Sequence, residues 1–281
     1  MDNSGAENHT TIFTIAESTL DENVIWVGTD DGNVQVTKDG GKTWTNTVAN
    51  IPGLPKNTWC YHIEASVFDK GTAYAVFDGH TMNDMTPYAF KTTDFGKTWT
   101  NIISDDVVGF ARNIQEDYEN PDLLFLGTEF GLYITMDGGK NWKKFTNNMP
   151  AVAVHFIELH KRTNDLVMGT HGRGVIILDD ISSLRSINNE VLGKTLHFFE
   201  TPDTEISETS SFSGNFGTET QFVGSNKTKD VQIKYYLNKR HTFGKMTMVI
   251  EDMEGNQIAE LGPGKSKGIN VVNWNYTRKV P

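Results

Sequence analysis

Up to Ile181 the chain alternates short apolar runs, rich in Val, Ile, Tyr, Phe, Trp and Thr, with breaks of Gly, Asp and Asn. Runs of this length and composition predict β-strands, and no segment of the repeats keeps the spacing of an amphipathic helix. ARNIQED (111–117), LLFLGT (123–128), LYITM (132–136) and WKKF (142–145) predict four strands in succession. CYHIEAS (60–66), TAYAVF (72–77), YAFKT (88–92) and WTNI (99–102) give the same order upstream.

This pattern is a repeat. VIWVGTDDGNVQVTKD (24–39), TAYAVFDGH with YAFKTTD (72–94), LLFLGTEFGLYITMD (123–137) and LVMGTHGRGVIILDD (166–180) align, with Asp39, Asp94, Asp137 and Asp179 spaced by 55, 43 and 42 residues. Four antiparallel strands at a period of this length predict the blades of a β-propeller, about four of them. The fourth unit has no obvious outer strand; TLHFFE (195–200) or a segment upstream of Met1 is expected to close that edge.

Between the third and fourth strands of three units stands one octapeptide: TKDGGKTW, TTDFGKTW and TMDGGKNW. Its glycines supply positive φ for a tight reversal, its Asp accepts backbone N–H groups, and its Trp folds over apolar neighbours. These residues match the Asp-box signature Ser/Thr-x-Asp-x-Gly-x-x-Trp of the bacterial neuraminidase repeat, through Thr37, Asp39, Gly41 and Trp44, Thr92, Asp94, Gly96 and Trp99, and Thr135, Asp137, Gly139 and Trp142. Over residues 11–185 the chain resembles the sortilin-like, glycosyl hydrolase-like Asp-box propellers of bacteria. That resemblance implies a structural role for these twelve residues, a ligand face at the opposite end of the blades, and an exported protein, extracellular or periplasmic.

After Ile181 the composition turns polar, which predicts a connector over 186–220 between a propeller of residues 1–185 and a domain of residues 221–281. VQIKYYLN (231–238), KMTMVIEDMEGNQIAEL (245–261) and GINVVNWNY (268–276) alternate as the strands of a small sandwich. It is similar to the immunoglobulin-like domain that trails such propellers, and it is expected to be truncated, the chain being a C-terminal fragment. The expected fold is thus all-β: a partial propeller followed by a small immunoglobulin-like sandwich.

Charge and composition narrow the partners. A net charge of −11 without a Lys/Arg cluster argues against nucleic acid, and no run approaches the roughly 18 apolar residues of a membrane helix. The single Cys60 excludes an internal disulfide and a cysteine-based zinc site; within its strand it reads as a small buried hydrophobe in preference to a reactive thiol. The N-terminus has no secretory signal, and nothing in the chain calls for a cofactor or a metal.

Candidate chemistry collects in the loops between the second and third strands: Asp30 and Asp31, then Asp78, His80 and Asp84, then Glu129, then His171 and Arg173. Equivalent positions of successive blades converge on one axis, which is what a pocket requires. Each residue also has a plainer reading: solvated acids for Asp30, Asp31 and Glu129, a turn stabiliser for Asp78, a salt bridge for Arg173. His80 and Asp84 are too few donors for a metal site without a spacing motif. The expected function is recognition of a protein, peptide or glycan at this face, alongside the remaining blades of a longer chain. The competing expectation is a glycoside hydrolase with paired carboxylates at the same mouth. The arginines of the repeats, Arg112, Arg162, Arg173 and Arg185, do not form an evident sialidase triad, and nucleophile elbows, phosphate loops and zinc-helix motifs are absent.

Overall fold

The computed structural model describes residues 10–204 and 230–277, so part of the expected connector and the first residues of the expected second domain lie outside it. The chain divides into two units, Met1–Arg185 and Ser186–Pro281.

The first unit is a partial β-propeller built of antiparallel meanders. Ile12–Glu17 (β1), Ile25–Thr29 (β2), Val34–Thr37 (β3) and Thr45–Asn46 (β4) form its first sheet. Trp59–Ala65 (β5), Ala73–Asp78 (β6), Tyr88–Thr92 (β7) and Thr100–Asn101 (β8) form the second. Ala111–Glu116 (β9), Leu124–Thr128 (β10), Gly131–Thr135 (β11) and Lys143–Lys144 (β12) form the third. Val154–His160 (β13), Asp165–Thr170 (β14) and Val175–Leu178 (β15) make a fourth sheet of three strands.

Burial follows from which sheets have neighbours. β6, β10 and β11 are buried along their whole length, because sheets pack on both of their faces. β15 alternates between exposed and half-buried, leaving Val175 and Ile177 exposed. Three successive cores fill the gaps: Trp26, Phe77, Phe90 and Trp99 between the first two sheets, Tyr74, Leu124 and Trp142 between the next two, and Phe125, Ile157 and Met168 before the last. Burying each such side chain contributes roughly 1.5–3 kcal/mol.

The innermost strands β1, β5, β9 and β13 lie side by side. Ile63 N donates to Thr14 Oγ1 of the preceding sheet at 3.2 Å, and Ile114 N donates to His62 Nδ1 at 3.5 Å. Gly127 is required by this approach, since a Cβ there would stand 2.5 Å from the Val154 carbonyl. Cys60 is fully buried in the first core, and burial pushes its thiol up, beyond reactive use at neutral pH.

The octapeptide turns are closed by their own side chains. In the third, Thr135 Oγ1 donates to Asp137 Oδ1 at 2.7 Å, while Asp137 accepts Asn141 N at 2.9 Å and Asn141 Nδ2 at 2.7 Å. The first turn repeats this with Thr37, Asp39 and Thr43, and the second with Thr92, Asp94 and Thr98. The Thr43 hydroxyl and N–H hold the Asp39 carboxyl down to about 2. The three tryptophans directly precede the outer strands, and Trp99 and Trp142 each meet the sheet before their own. Trp99 packs edge-on against Trp26 at 6.0 Å, and Trp142 Nε1 donates to the Ile102 carbonyl. Trp44, in the first described sheet, is 41% exposed.

Ser182–Arg185 (α1) ends the unit. Its Arg185 pairs with the buried Asp117 at 2.8 Å.

In the second unit, Asn188 caps the short helix Asn189–Gly193 (α2) by accepting Val191 N. Leu196–Phe198 (β16), offered by the sequence as an edge of the fourth propeller sheet, instead pairs with Val231–Leu237 (β17), which pairs with Gly268–Trp274 (β20). The stretch expected to be connector therefore carries a helix and a strand. Its apolar side chains find partners in this unit: Phe199 packs with Tyr236 and Val191. Met248–Glu251 (β18) and Gln257–Leu261 (β19) form a hairpin that shares a core with the three-stranded sheet through Met248, Tyr235, Leu237 and Val272.

Candidate functional site

Each innermost strand of the propeller is interrupted at the same place. Its register against the second strand of its sheet slips by one residue, leaving Phe13, Tyr61, Arg112 and His155 outside the ladder of pairs. Such one-residue bulges bend the strand and re-aim the extra side chain. The extra residues of neighbouring sheets come together: the Phe13 and Tyr61 rings are 5.1 Å apart, and the Arg112 guanidinium lies 4.6 Å from the Tyr61 ring and 4.7 Å from that of Phe110. A cation held between two rings is attracted by both quadrupoles.

The ends of the second strands meet this row. Asp78 is fully buried, accepts His80 N at 2.9 Å and His80 Nδ1 at 2.8 Å, and forms an ion pair with Arg112 NH1 at 2.9 Å, so it ties the second sheet to the third. His80 also stacks on Phe110 at 4.9 Å. His171 stacks on His155 at 5.4 Å. His155 is held below its ordinary value of 6.5, by burial first and then by the positive Arg112 and by His171, while Glu129 and Asp78 pull the other way. Asp78, Glu129, Arg112, His155 and His171 therefore share one electrostatic neighbourhood.

Among the residues singled out by the sequence, Asp78, His80, Glu129 and His171 gather here. The others are occupied locally or stand apart. Asp30 accepts Thr10 N and Thr11 N, at 2.9 and 2.8 Å. Asp31 holds the Thr29 hydroxyl and Asn33 Nδ2. Asp84 accepts Thr86 N and the Tyr88 hydroxyl; burial pushes it up, but these donors outweigh burial and leave it below the usual carboxylate range. Arg173 is exposed between Gly172 and Gly174, both at positive φ, and has no ion pair among the described residues. Arg112, His155, Tyr61 and Phe110 were not singled out, because a bulge leaves no mark on a period-two pattern. Their one signal was position, near the start of each innermost strand.

The opposite ends of the same strands line a cavity of about 280 Å³ with different chemistry: Glu64, Glu116, Glu158, Gln115, His62 and Lys161. Glu116 is buried and fully engaged, accepting Ser66 Oγ, Val67 N and the Tyr74 hydroxyl at 2.8–3.0 Å. Glu64 accepts Gln115 Nε2 at 2.6 Å, yet burial and then the charges of Glu116 and Glu158 push it up to about 8. It is thus protonated at neutral pH. Burial holds His62 down to about 4, in keeping with the neutral ring needed for Nδ1 to accept Ile114 N. This cavity opens at the end of the strands that carries the octapeptide turns, where Gly138 N donates to the Asp122 carbonyl of the adjoining hairpin. No acid of that end was a sequence candidate, although Ile-Glu-Ala, Ile-Gln-Glu and Ile-Glu-Leu (63–65, 114–116, 157–159) recur in register. Among the described residues no three His, Cys, Asp or Glu side chains are grouped to hold a metal, and no helix is long and apolar enough to cross a membrane.

No protein-family model and no curated protein matches the sequence. Similar solved structures include YCF48 bound to D1 peptide, at 17% identity over 90% of this chain and 69% of that one, TM-score 0.45. The GH74 enzyme of Niastella koreensis is 19% identical, with 62% of this chain and 24% of that one covered and a TM-score of 0.45. The GH74 xyloglucanase of Xanthomonas campestris is 12% identical, with 62% and 30% covered and a TM-score of 0.45. The chain spans less than a third of either GH74 protein, and likeness at this level leaves activity to be argued from the residues themselves.

Proposed function

We propose that the chain is an exported interaction module that binds a protein, peptide or glycan at the face opposite the octapeptide turns. The observation that carries this reading is the row of bulged side chains, Phe13, Tyr61, Arg112 and His155, joined by Asp78, His80, Glu129 and His171. Aromatic area beside a few fixed polar groups is the composition of a recognition surface. The mouth acids serve this reading better than a hydrolytic one: Asp78 is neutralised by Arg112, and Asp30, Asp31 and Asp84 are engaged in their own turns. Further four-stranded sheets would cover the apolar side chains left open on the first and fourth sheets, such as Ile15 and Phe156. The second unit, Ser186–Pro281, would act as an immunoglobulin-like spacer.

The test is a screen of the full chain against arrays of peptides and polysaccharides, with each binder re-measured on His171→Ala and Glu129→Gln. Weakened binding with unchanged melting supports the face. Unchanged affinity in both variants contradicts it.

A second reading, a glycoside hydrolase, draws on one observation at the other end of the strands. Glu64 is a carboxyl protonated near neutrality beside Glu158, which is the pairing an acid-catalysed glycoside cleavage uses. Release of reducing sugar from a polysaccharide, lost in Glu64→Gln, would establish it.

A further inference from the structure

Arg112 is more than a partner for Asp78. Arg112 is 9% exposed, and its guanidinium carbon lies 4.6 Å from the Tyr61 ring and 4.7 Å from the Phe110 ring. A guanidinium carries five N–H donors. Its NH1 forms an ion pair with Asp78 at 2.9 Å, and its Nε is buried without an acceptor. A buried donor left unmade is unfavourable, so an acceptor that reached it would be favoured. The N–H donors of a guanidinium lie in its plane and match a planar carboxylate in a fork.

Resting on the reading that this face is the binding surface, we propose that Arg112 receives a carboxylate of a peptide ligand. The surroundings favour a peptide over an acidic glycan. On one side of Arg112 stand Tyr61, Phe13 and Trp59, with Phe13 43% exposed and packed edge-on against Trp59 at 4.6 Å, an apolar platform suited to a hydrophobic side chain. Glu129, whose N–H donates to the Phe110 carbonyl at 3.1 Å, supplies a carboxylate that can accept the ligand's backbone N–H. A net charge of −11 repels a polyanion at long range, so a single carboxylate is recognised by contact and not by steering. Binding takes up protons. His155 is held below 6.5 by burial first and then by Arg112 and His171; a ligand carboxylate would offset part of that depression, so affinity increases as pH falls toward and below 6.5.

The carboxylate has two sources, a chain terminus or an acidic side chain, and three peptides separate them. The full chain is titrated with Ac-Ala-Ala-Phe as free acid, with its C-terminal amide, and with Ac-Asp-Ala-Phe-amide, while the ¹⁵N resonance of the Arg112 Nε–H is followed. A terminal carboxylate predicts that the free acid binds about tenfold more tightly than the amide and moves the Nε–H resonance. A side-chain carboxylate predicts the same for the aspartyl peptide. Arg112→Lys keeps a charge for Asp78 and removes the fork, and should abolish the discrimination; the wild-type resonance decides the matter even if that variant unfolds. The proposal is overturned if no peptide moves the Nε–H resonance, or if oligogalacturonate moves it and the peptides do not. Acid and amide binding equally, with shifts at Phe110 and His155, would overturn the carboxylate and leave the face standing. Array binders that perturb neither residue would overturn the face itself.

Discussion

At one end of the innermost strands the buried Asp78 is met by Arg112 of the next sheet at 2.9 Å; at the other end Glu64 gives its charge up because it is buried and because Glu116 and Glu158 are near it. The same strands build both ends, and the same stacking brings equivalent positions of neighbouring sheets together. What differs is which residues occupy those positions. Where the next sheet supplies a cation, a buried acid gains an ion-pair partner; where burial is joined by further acids, protonation is favoured. A repeat fold therefore fixes where side chains meet, and sequence divergence between repeats decides what the meeting does.

Removing one half of the paired end should have the largest effect. Asp78→Ala leaves Arg112 buried with no counter-charge, and an uncompensated buried charge is unfavourable by about 3–5 kcal/mol. Urea denaturation should show that loss, and Asp78→Ala combined with Arg112→Met should recover part of it. Equal losses in the single and double variants would mean that the pair is not coupled.

The protonated end should give a smaller effect that depends on pH. The folded-state value of Glu64, about 8, lies above its ordinary 4.5, so the native protein holds this proton more tightly than the unfolded chain. The stabilisation is complete below about 4.5, declines as pH rises through about 8, and is gone above. Glu64→Gln should remove that decline and leave the variant about 2 kcal/mol more stable than wild type near pH 9, a figure reduced for the solvent that reaches the cavity. Parallel stability–pH curves for the two proteins would contradict it.

The octapeptide turns lie at the protonated end but take no part in its chemistry, and they should matter least. Asp137→Ala removes the acceptor for Asn141 N, at a loss of about 1 kcal/mol. Chemical denaturation at neutral pH should resolve it. A loss as large as that of Asp78→Ala would place these aspartates in a larger network than their own turns.

The propeller sheets were legible in the sequence because their punctuation repeats. Octapeptides at Thr37, Thr92 and Thr135 mark the same hairpin three times, and the glycines before Thr29 and Thr128 mark where the next sheet passes. Part of the mouth was legible for the same reason: Asp78, Glu129 and His171 hold equivalent positions at the ends of second strands. The decisive residues were not. Phe13, Tyr61, Arg112 and His155 acquire their direction from a slip in pairing register, which is a property of two strands together and leaves one strand's apolar–polar pattern unchanged. The acidity of Glu64 is likewise set by burial between sheets and then by residues about 50 and 95 positions away in the chain, brought near by stacking. TLHFFE was misassigned because a short apolar strand carries no sign of which open edge it will join.

The central claim is that bulged residues of adjacent sheets are neighbours across one mouth, and the titration of His155 tests it most directly. Followed by NMR in the wild-type chain, its midpoint should lie below 6.5, and it should move upward in Arg112→Gln, because the positive charge that depresses it belongs to the preceding sheet. A His155 midpoint that does not respond to Arg112 would contradict the account.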